Sequence, residues 1–161
     1  MKKTEKTNVM RLLEQKKIAY DSYDYTESGV VSGKEVAEAL GQNPERVYKT
    51  LVTVGAGKNY YVFLVPVLCE LDLKAAAKCV GEKSIAMIKS KELLPLTGYI
   101  HGGCSPIGMK KQFRTVLDAS VQNFETIIFS GGKIGYQVEV AVKDLEKIVK
   151  FEVGEICEKN K

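Results

Sequence analysis

Apolar residues at Val9, Leu12 and Leu13, followed by Lys16 and Lys17, have the three-to-four spacing that predicts an amphipathic helix near the start of the chain. From Ile18 to Tyr25 the pattern shortens to alternation rich in tyrosine, which predicts a strand. Ser32, with Glu35 three positions on, has the form of a capping box for a second helix carrying Val36, Ala37 and Leu40 and stopping at Gly41. A further element begins near Pro44. Arg46 to Val54 and Tyr60 to Val67 are β-branched and aromatic runs separated by Gly55-Ala56-Gly57-Lys58-Asn59, the pattern of a central antiparallel hairpin. Asp72 caps a helix over Leu73 to Val80 that Gly81 ends, Ser84 to Met87 is a short strand, and Ser90 opens a short helix that Pro95 helps to close. Strands then flank a glycine-rich loop, one over Thr97 to His101 and one from Thr115 through Val116, Leu117 and Asp118. Thr126 to Ser130 and Tyr136 to Ala141 follow, joined tightly by Gly131-Gly132-Lys133, before a last helix near Lys143 to Val149.

About seven strands, mostly in hairpin order with helices between them, predict a mixed, largely antiparallel sheet curved toward a barrel with helices packed outside, an α/β (α+β) fold. With 161 residues and 45% apolar content, the chain is expected to form a single domain over residues 1–161, with a core that needs neither metal nor disulfide. No run approaches eighteen consecutive apolar residues, and the charged start MKKTEKTNVMRLLEQKK has no apolar stretch behind it, so a cytoplasmic protein with no membrane partner is expected. Cys69, Cys79, Cys104 and Cys157 are scattered and form no C-x-x-C pair, so neither a metal site nor another cofactor is expected. A net charge of +4, from 24 basic and 20 acidic residues well mixed along the chain, argues against a protein that coats duplex nucleic acid.

Candidate chemistry concentrates in TGYIHGGCSPIGMKKQFR, from Thr97 to Arg114. Gly102 and Gly103 permit close approach to the backbone, Pro106 fixes its own φ, and Gly108 lets the loop turn before the cationic stretch. Such a loop can converge amides on an anion or a developing oxyanion; the same residues also make ordinary turns. Ser105 lacks the second glycine of a G-x-S-x-G nucleophile elbow, and Gly131, Gly132 and Gly135 fit neither nucleotide-binding glycine pattern. His101, the only histidine, is read as a pocket-wall residue in preference to a general base. Lys89 and Lys91 before the loop, and Lys110, Lys111 and Arg114 after it, form either a basic rim for a phosphate-bearing substrate or a solvated face. Lys49 lies in Val47-Tyr48-Lys49-Thr50-Leu51-Val52, where alternation puts Val47, Lys49 and Leu51 on one face. Its ammonium either reaches water from a strand end or projects into a pocket.

Val47-Tyr48-Lys49-Thr50-Leu51, Leu71-Asp72-Leu73-Lys74, Thr97-Gly98-Tyr99, Gly102 through Lys111 and Ser130-Gly131-Gly132-Lys133 together resemble the YbaK/EbsC family, in order, over nearly the whole chain, and within it the Cys-tRNA(Pro) deacylases. That resemblance implies the fold of the editing domain inserted in bacterial prolyl-tRNA synthetases. It also implies a trans-editing enzyme that removes cysteine from Cys-tRNA(Pro) and, in isolation, from Cys-tRNA(Cys). By the same resemblance Lys49 is the residue most associated with activity, Thr50 and the loop residues Gly102, Gly103 and Ser105 line the pocket, and Tyr25 is a pocket-wall tyrosine. Lys110, Lys111 and Arg114 are the candidate tRNA contacts, and prolyl-tRNA synthetase is the expected partner in choosing the tRNA. The family mechanism is substrate-assisted: the cysteine thiol attacks its own ester and cyclises, which suits a chain with few candidate bases. Ser32, His101, Cys104 and Met109 depart from the family pattern and bear on pocket shape and selectivity. Cys104 is the rival nucleophile, although its apolar setting reads as that of a small hydrophobe. Two alternatives stay open, a deacylase for Ala-tRNA(Pro) or another small aminoacyl ester, and a tRNA-end or nucleotide-binding module without catalysis.

Overall fold

The computed structural model describes residues 6–29 and 33–158. The cap expected at Ser32 lies outside them. Helix α1 (Asn8–Gln15) opens at Thr7, whose hydroxyl accepts from the Met10 N–H, and its inward stripe buries Val9, Met10 and Leu13. Strand β1 (Tyr20–Asp24), helix α2 (Gly33–Leu40) and the hairpin of β2 (Tyr48–Gly55) and β3 (Tyr60–Pro66) follow. Asp72 caps α3 (Leu73–Val80) by accepting from the N–H groups of Lys74 and Ala75, and Gly81 ends it at φ 78°. Beyond α3 come β4 (Ile85–Met87), α4 (Ser90–Thr97), β5 (Arg114–Asp118), β6 (Thr126–Ser130), β7 (Tyr136–Ala141), α5 (Val142–Leu145) and β8 (Glu152–Gly154). No helix of the described residues is long and apolar enough to cross a membrane.

The strands form a five-stranded sheet in the order β4-β2-β3-β5-β8 and a three-stranded sheet in the order β1-β7-β6. Between the two sheets lies the main core, with Tyr48, Val52 and Leu64 from one meeting Phe129, Val138 and Val140 from the other, closed off by the buried stripe of α1. On the opposite face of the larger sheet, Phe63, Val65 and Val116 pack against Ala76, Ala77 and Val80 of α3. Strand β3 is therefore covered on both faces, which accounts for its unbroken apolar sequence Tyr-Tyr-Val-Phe-Leu-Val.

The expected mixed, largely antiparallel architecture is present, and it differs from the expectation in several elements. The sheets do not close into a barrel: they touch through an isolated parallel bridge between Val47 and Ile128. Among the described residues there are eight strands, because the short, half-exposed β8 adds itself in parallel to β5. Thr97 to His101 is not a strand. Pro95 does not stop α4, which runs on to Thr97; Gly98, at φ 86°, ends it, and the Thr97 hydroxyl takes the Tyr99 N–H while donating to the Leu93 carbonyl. Tyr99 then turns inward and donates its hydroxyl to the Ile107 carbonyl, tying the start of the glycine loop to its end. The last helix is likewise shorter than expected, since after Leu145 the chain continues as turns closed by Ile148 and Val149 N–H groups on the Leu145 carbonyl.

Candidate active site

Among the described residues β4 pairs with β2 only at Thr53, Val54 and Gly55, and β6 bridges to this edge only at Val47, just before β2 begins. Between those contacts the edge of β2 from Tyr48 to Leu51 has no strand partner, and a cavity of about 410 Å³ lies along it. That size is within the range of small-molecule sites. Its lower wall is apolar, from Tyr48, Val52, Leu93 and Phe129. Tyr25, Ser130 and Gln137 come from the smaller sheet, and His101, Gly102 and Cys104 from the glycine loop. Lys89 and Ser90 place the start of α4 at the rim, where the amide dipoles of a helix N-terminus favour negative charge.

Of the residues singled out in the sequence, Lys49, Thr50, Tyr25 and Gly102 meet in this cavity. Lys49 borders this cavity, with its side chain 29% exposed and its Nζ 3.7 Å from the exposed carboxylate of Glu70. The Thr50 hydroxyl is buried and has no hydrogen-bond partner among the described residues. A hydroxyl in that state costs stability, and at a cavity wall it is a donor and acceptor ready for a bound molecule. Gly102 adopts φ 90°, a conformation few side chains tolerate, where the loop reaches the cavity.

Gly103, Ser105, Lys110, Lys111 and Arg114 are not on the cavity wall. Gly103 is held behind it, its N–H bonded to the Ile100 carbonyl and its Cα facing the backbone of Lys133 and Ile134. Ser105 is fully buried and accepts from the Ile107 N–H, a local turn that shapes the loop. Lys110 and Lys111 are exposed on the loop flank, with the Lys110 stem lying over Gly98. Arg114 faces elsewhere, with two of its nitrogens on Glu152 at 2.6 and 2.9 Å and a third on the Val80 carbonyl. His101 is at the cavity wall, as expected, but from an exposed turn. Cys104 also lines the cavity, yet burial pushes its thiol up to about 12. On the order of one molecule in 10⁵ then carries the thiolate at neutral pH, which makes it a poor nucleophile.

Ser130 and Gln137 are cavity residues that the sequence does not single out, whereas Lys89, one of the residues read as a basic rim, is at the cavity. Ser130 and Gln137 sit opposite one another in the β6–β7 ladder, so a polar pair in register where the two strands join is the signal that points to them. Gln137 is buried and its amide oxygen accepts from Gln42 at 2.8 Å. Among the described residues no carboxylate lines the cavity, and its ammonium groups are those of Lys49 and Lys89. The arrangement suits a ligand with an apolar part to bury and negative charge, present or developing, near Lys49.

Thr50→Val tests the orphan hydroxyl. Unfolding stability in urea is expected to stay level or rise by up to about 1 kcal/mol, while turnover of the substrate argued for below falls roughly tenfold. Unchanged turnover would remove Thr50 from the site.

The sequence profile of the aminoacyl-tRNA editing domain family matches residues 27–148. EbsC of Enterococcus faecalis, a protein named for Cys-tRNA(Pro)/Cys-tRNA(Cys) deacylation, is 46% identical over 160 residues, covering 98% of both chains. A proline–tRNA ligase of Kosmotoga olearia is 30% identical over 112 residues, which cover 67% of this chain and 18% of the ligase. Among solved structures, one described as a trans-editing enzyme for prolyl tRNA synthetase superposes with TM-score 0.80 at 25% identity, covering 95% of this chain and 99% of the other. The hypothetical protein APE2540 superposes with TM-score 0.85 at 18% identity and shares the fold, covering 94% and 100%.

Proposed function

The chain belongs to the aminoacyl-tRNA editing domain family, and from that premise we propose that it deacylates Cys-tRNA(Pro), and Cys-tRNA(Cys) when presented with it alone. The observation that carries this reading is the cavity itself. Among the described residues it offers one half-buried ammonium, an orphan hydroxyl and an apolar wall, with no carboxylate on its wall to serve as a general base.

An ester site so poor in bases favours a substrate that brings its own nucleophile. The cysteine Sγ attacks its ester carbonyl carbon, a four-membered thiolactone forms, and the ribose oxygen of the terminal adenosine leaves with the proton the thiol gave up. Lys49 holds the carbonyl as negative charge develops on its oxygen, the Thr50 hydroxyl orients the substrate, and Gly102 lets the loop backbone approach. Tyr25 closes the wall that limits side-chain size. Lys89 at the start of α4 draws the terminal phosphate, and Lys110 and Lys111 steer the acceptor end toward the loop. Arg114, paired with Glu152, has a structural part. Residues 1–161 act as one editing unit in the cytoplasm. Selection of tRNA(Pro) falls to prolyl-tRNA synthetase as partner, since a cavity of this size encloses only the aminoacylated end.

The test is release of labelled amino acid from Cys-tRNA(Pro), Cys-tRNA(Cys) and Ala-tRNA(Pro), with and without prolyl-tRNA synthetase. Cysteine is expected to leave both cysteinyl tRNAs, alanine to stay, and the synthetase to sharpen preference for tRNA(Pro). Cleavage of the alanyl ester would exclude an obligatory substrate thiol, and tight binding with no cleavage of any ester would make the protein a binding module.

A further inference from the structure

The cavity is bordered by Lys49 and Lys89, and among the described residues no carboxylate borders it. An aminoacyl ester carries one cation beside its reacting bond, the α-ammonium, and an uncompensated ammonium close to Lys49 is repelled. A counter-charge is present just outside the cavity. Among the described residues one carboxylate is within ion-pair distance of a cavity lysine: Glu70, whose Oε1 is 3.7 Å from Lys49 Nζ. That separation is too long for a full hydrogen bond, so Lys49 holds the carboxylate only loosely.

We propose that Glu70 is a specificity residue that receives the α-ammonium of the aminoacyl ester, an inference that rests on the role of Lys49 proposed above. The backbone around it is tied at both ends. The Val67 N–H donates to the Val47 carbonyl at 2.8 Å, and the Glu70 carbonyl accepts from the Glu158 N–H at 2.9 Å. Next to Glu70, Leu71 bridges to Cys157, and the Asp72 N–H donates to the Ile156 carbonyl at 2.7 Å. The Glu70 side chain is nevertheless 78% exposed. A fixed backbone with an exposed carboxylate suits a group that adjusts its rotamer as a ligand enters. With two acceptor oxygens, it can keep Lys49 on one and take an ammonium on the other.

The covalent geometry of the ester fits this reach. Its amino nitrogen lies about 3 Å from its carbonyl oxygen. A carbonyl oxygen at hydrogen-bond distance, about 3 Å, from Lys49 Nζ then leaves the nitrogen within about 6 Å of Nζ, in the region the Glu70 carboxylate already occupies. Lys49 and Glu70 present a positive and a negative charge side by side. The ester presents the complement, negative charge developing on its carbonyl oxygen and positive charge on its nitrogen, so the pair fixes which way round the aminoacyl group lies. Esters whose amino group is blocked or missing, peptidyl esters among them, lose this contact even when they keep a thiol.

The test compares Cys-tRNA(Pro) with 3-mercaptopropionyl-tRNA(Pro), which keeps the ester and the thiol but has hydrogen in place of the amino group. Deacylation by the full chain is measured at about pH 7, where the amino group is largely protonated. KM for the desamino ester is expected to be about fivefold higher than for the cysteinyl ester, the most that an ion pair so exposed allows. In Glu70→Gln the ratio of the two KM values is expected to fall to about one, and Glu70→Asp should keep part of it. Any effect on Lys49 or on the fold shifts both KM values together and cancels in the ratio. A parent ratio of one, or a ratio unchanged by Glu70→Gln, would overturn the assignment of Glu70 and leave the deacylase reading standing. No cleavage of either ester by the parent protein would remove that reading, and this inference with it.

Discussion

Lys49→Ala is expected to lower kcat/KM for deacylation of Cys-tRNA(Pro) by roughly 10²–10³-fold while leaving the fold intact. The magnitude follows from the role proposed for Lys49, since its removal would take one preorganised charge from beside a developing oxyanion in a largely apolar site. The fold survives because Lys49 sits on the stretch of β2 that has no strand neighbour on its cavity side, and its one ion pair is with an exposed carboxylate at 3.7 Å. Exposed pairs of this kind contribute about 0–1 kcal/mol, so the urea midpoint should scarcely move. The loss should appear in kcat more than in KM, since the ammonium is needed most when charge builds on the carbonyl oxygen. Lys49→Arg keeps the charge but spreads it over a planar fork and should recover only part of the rate. Full turnover by Lys49→Ala at saturating Cys-tRNA(Pro) would end the assignment. The cavity would then have to work through its hydroxyl and backbone groups alone.

The elements that could be read in advance are those whose signals are local. Asp72 and Gly81 bracket α3 because both ends of a helix leave backbone groups that a nearby carboxylate or a left-handed glycine satisfies. The β2–β3 hairpin is announced by two apolar runs around a short glycine-bearing turn. The misread elements depend on partners that the hydrophobic pattern does not reveal. Strand β8 exists because β5 offers an edge to it, and its residues carry little strand pattern. Thr97 to His101 has a strand's composition, but the Thr97 hydroxyl and the inward-turned Tyr99 give its polar groups other partners. The same division holds at the site. Lys49 stands out as a charge among apolar neighbours. Arg114 reads as one more cation of a basic stretch until Glu152 is placed beside it. Ser105 and Gly103 carry the glycine-loop pattern yet build the loop from behind, leaving Gly102 to meet the cavity.

Gly132→Ala is expected to cost about 4 kcal/mol, and to lower the unfolding temperature by roughly 10 °C, although the residue is on a surface turn. Two costs combine there. Gly132 adopts φ 93°, where a side chain brings about 1–3 kcal/mol of backbone strain. An added Cβ would also sit 2.7 Å from Val9 Cγ2 and 3.2 Å from Tyr99 Cε1. Val9 is fully buried on α1, and Tyr99 is fixed by its hydrogen bond to Ile107, so neither can move aside cheaply; overpacking of this kind costs a further 1–3 kcal/mol or so. A double-mutant cycle separates the two. In Val9→Ala the methyl groups that meet the new Cβ are gone, so Gly132→Ala in that background should cost only the strain, and the coupling should be about 1–3 kcal/mol. Because Tyr99 links this contact to both ends of the glycine loop, the single variant should also disturb the cavity and raise KM for the ester. Additive costs in the cycle would show that backbone strain alone governs Gly132. A Gly132→Ala protein of unchanged stability would mean that the turn, α1 and the loop are not packed as one unit, and that Gly102 is positioned by the loop's own hydrogen bonds.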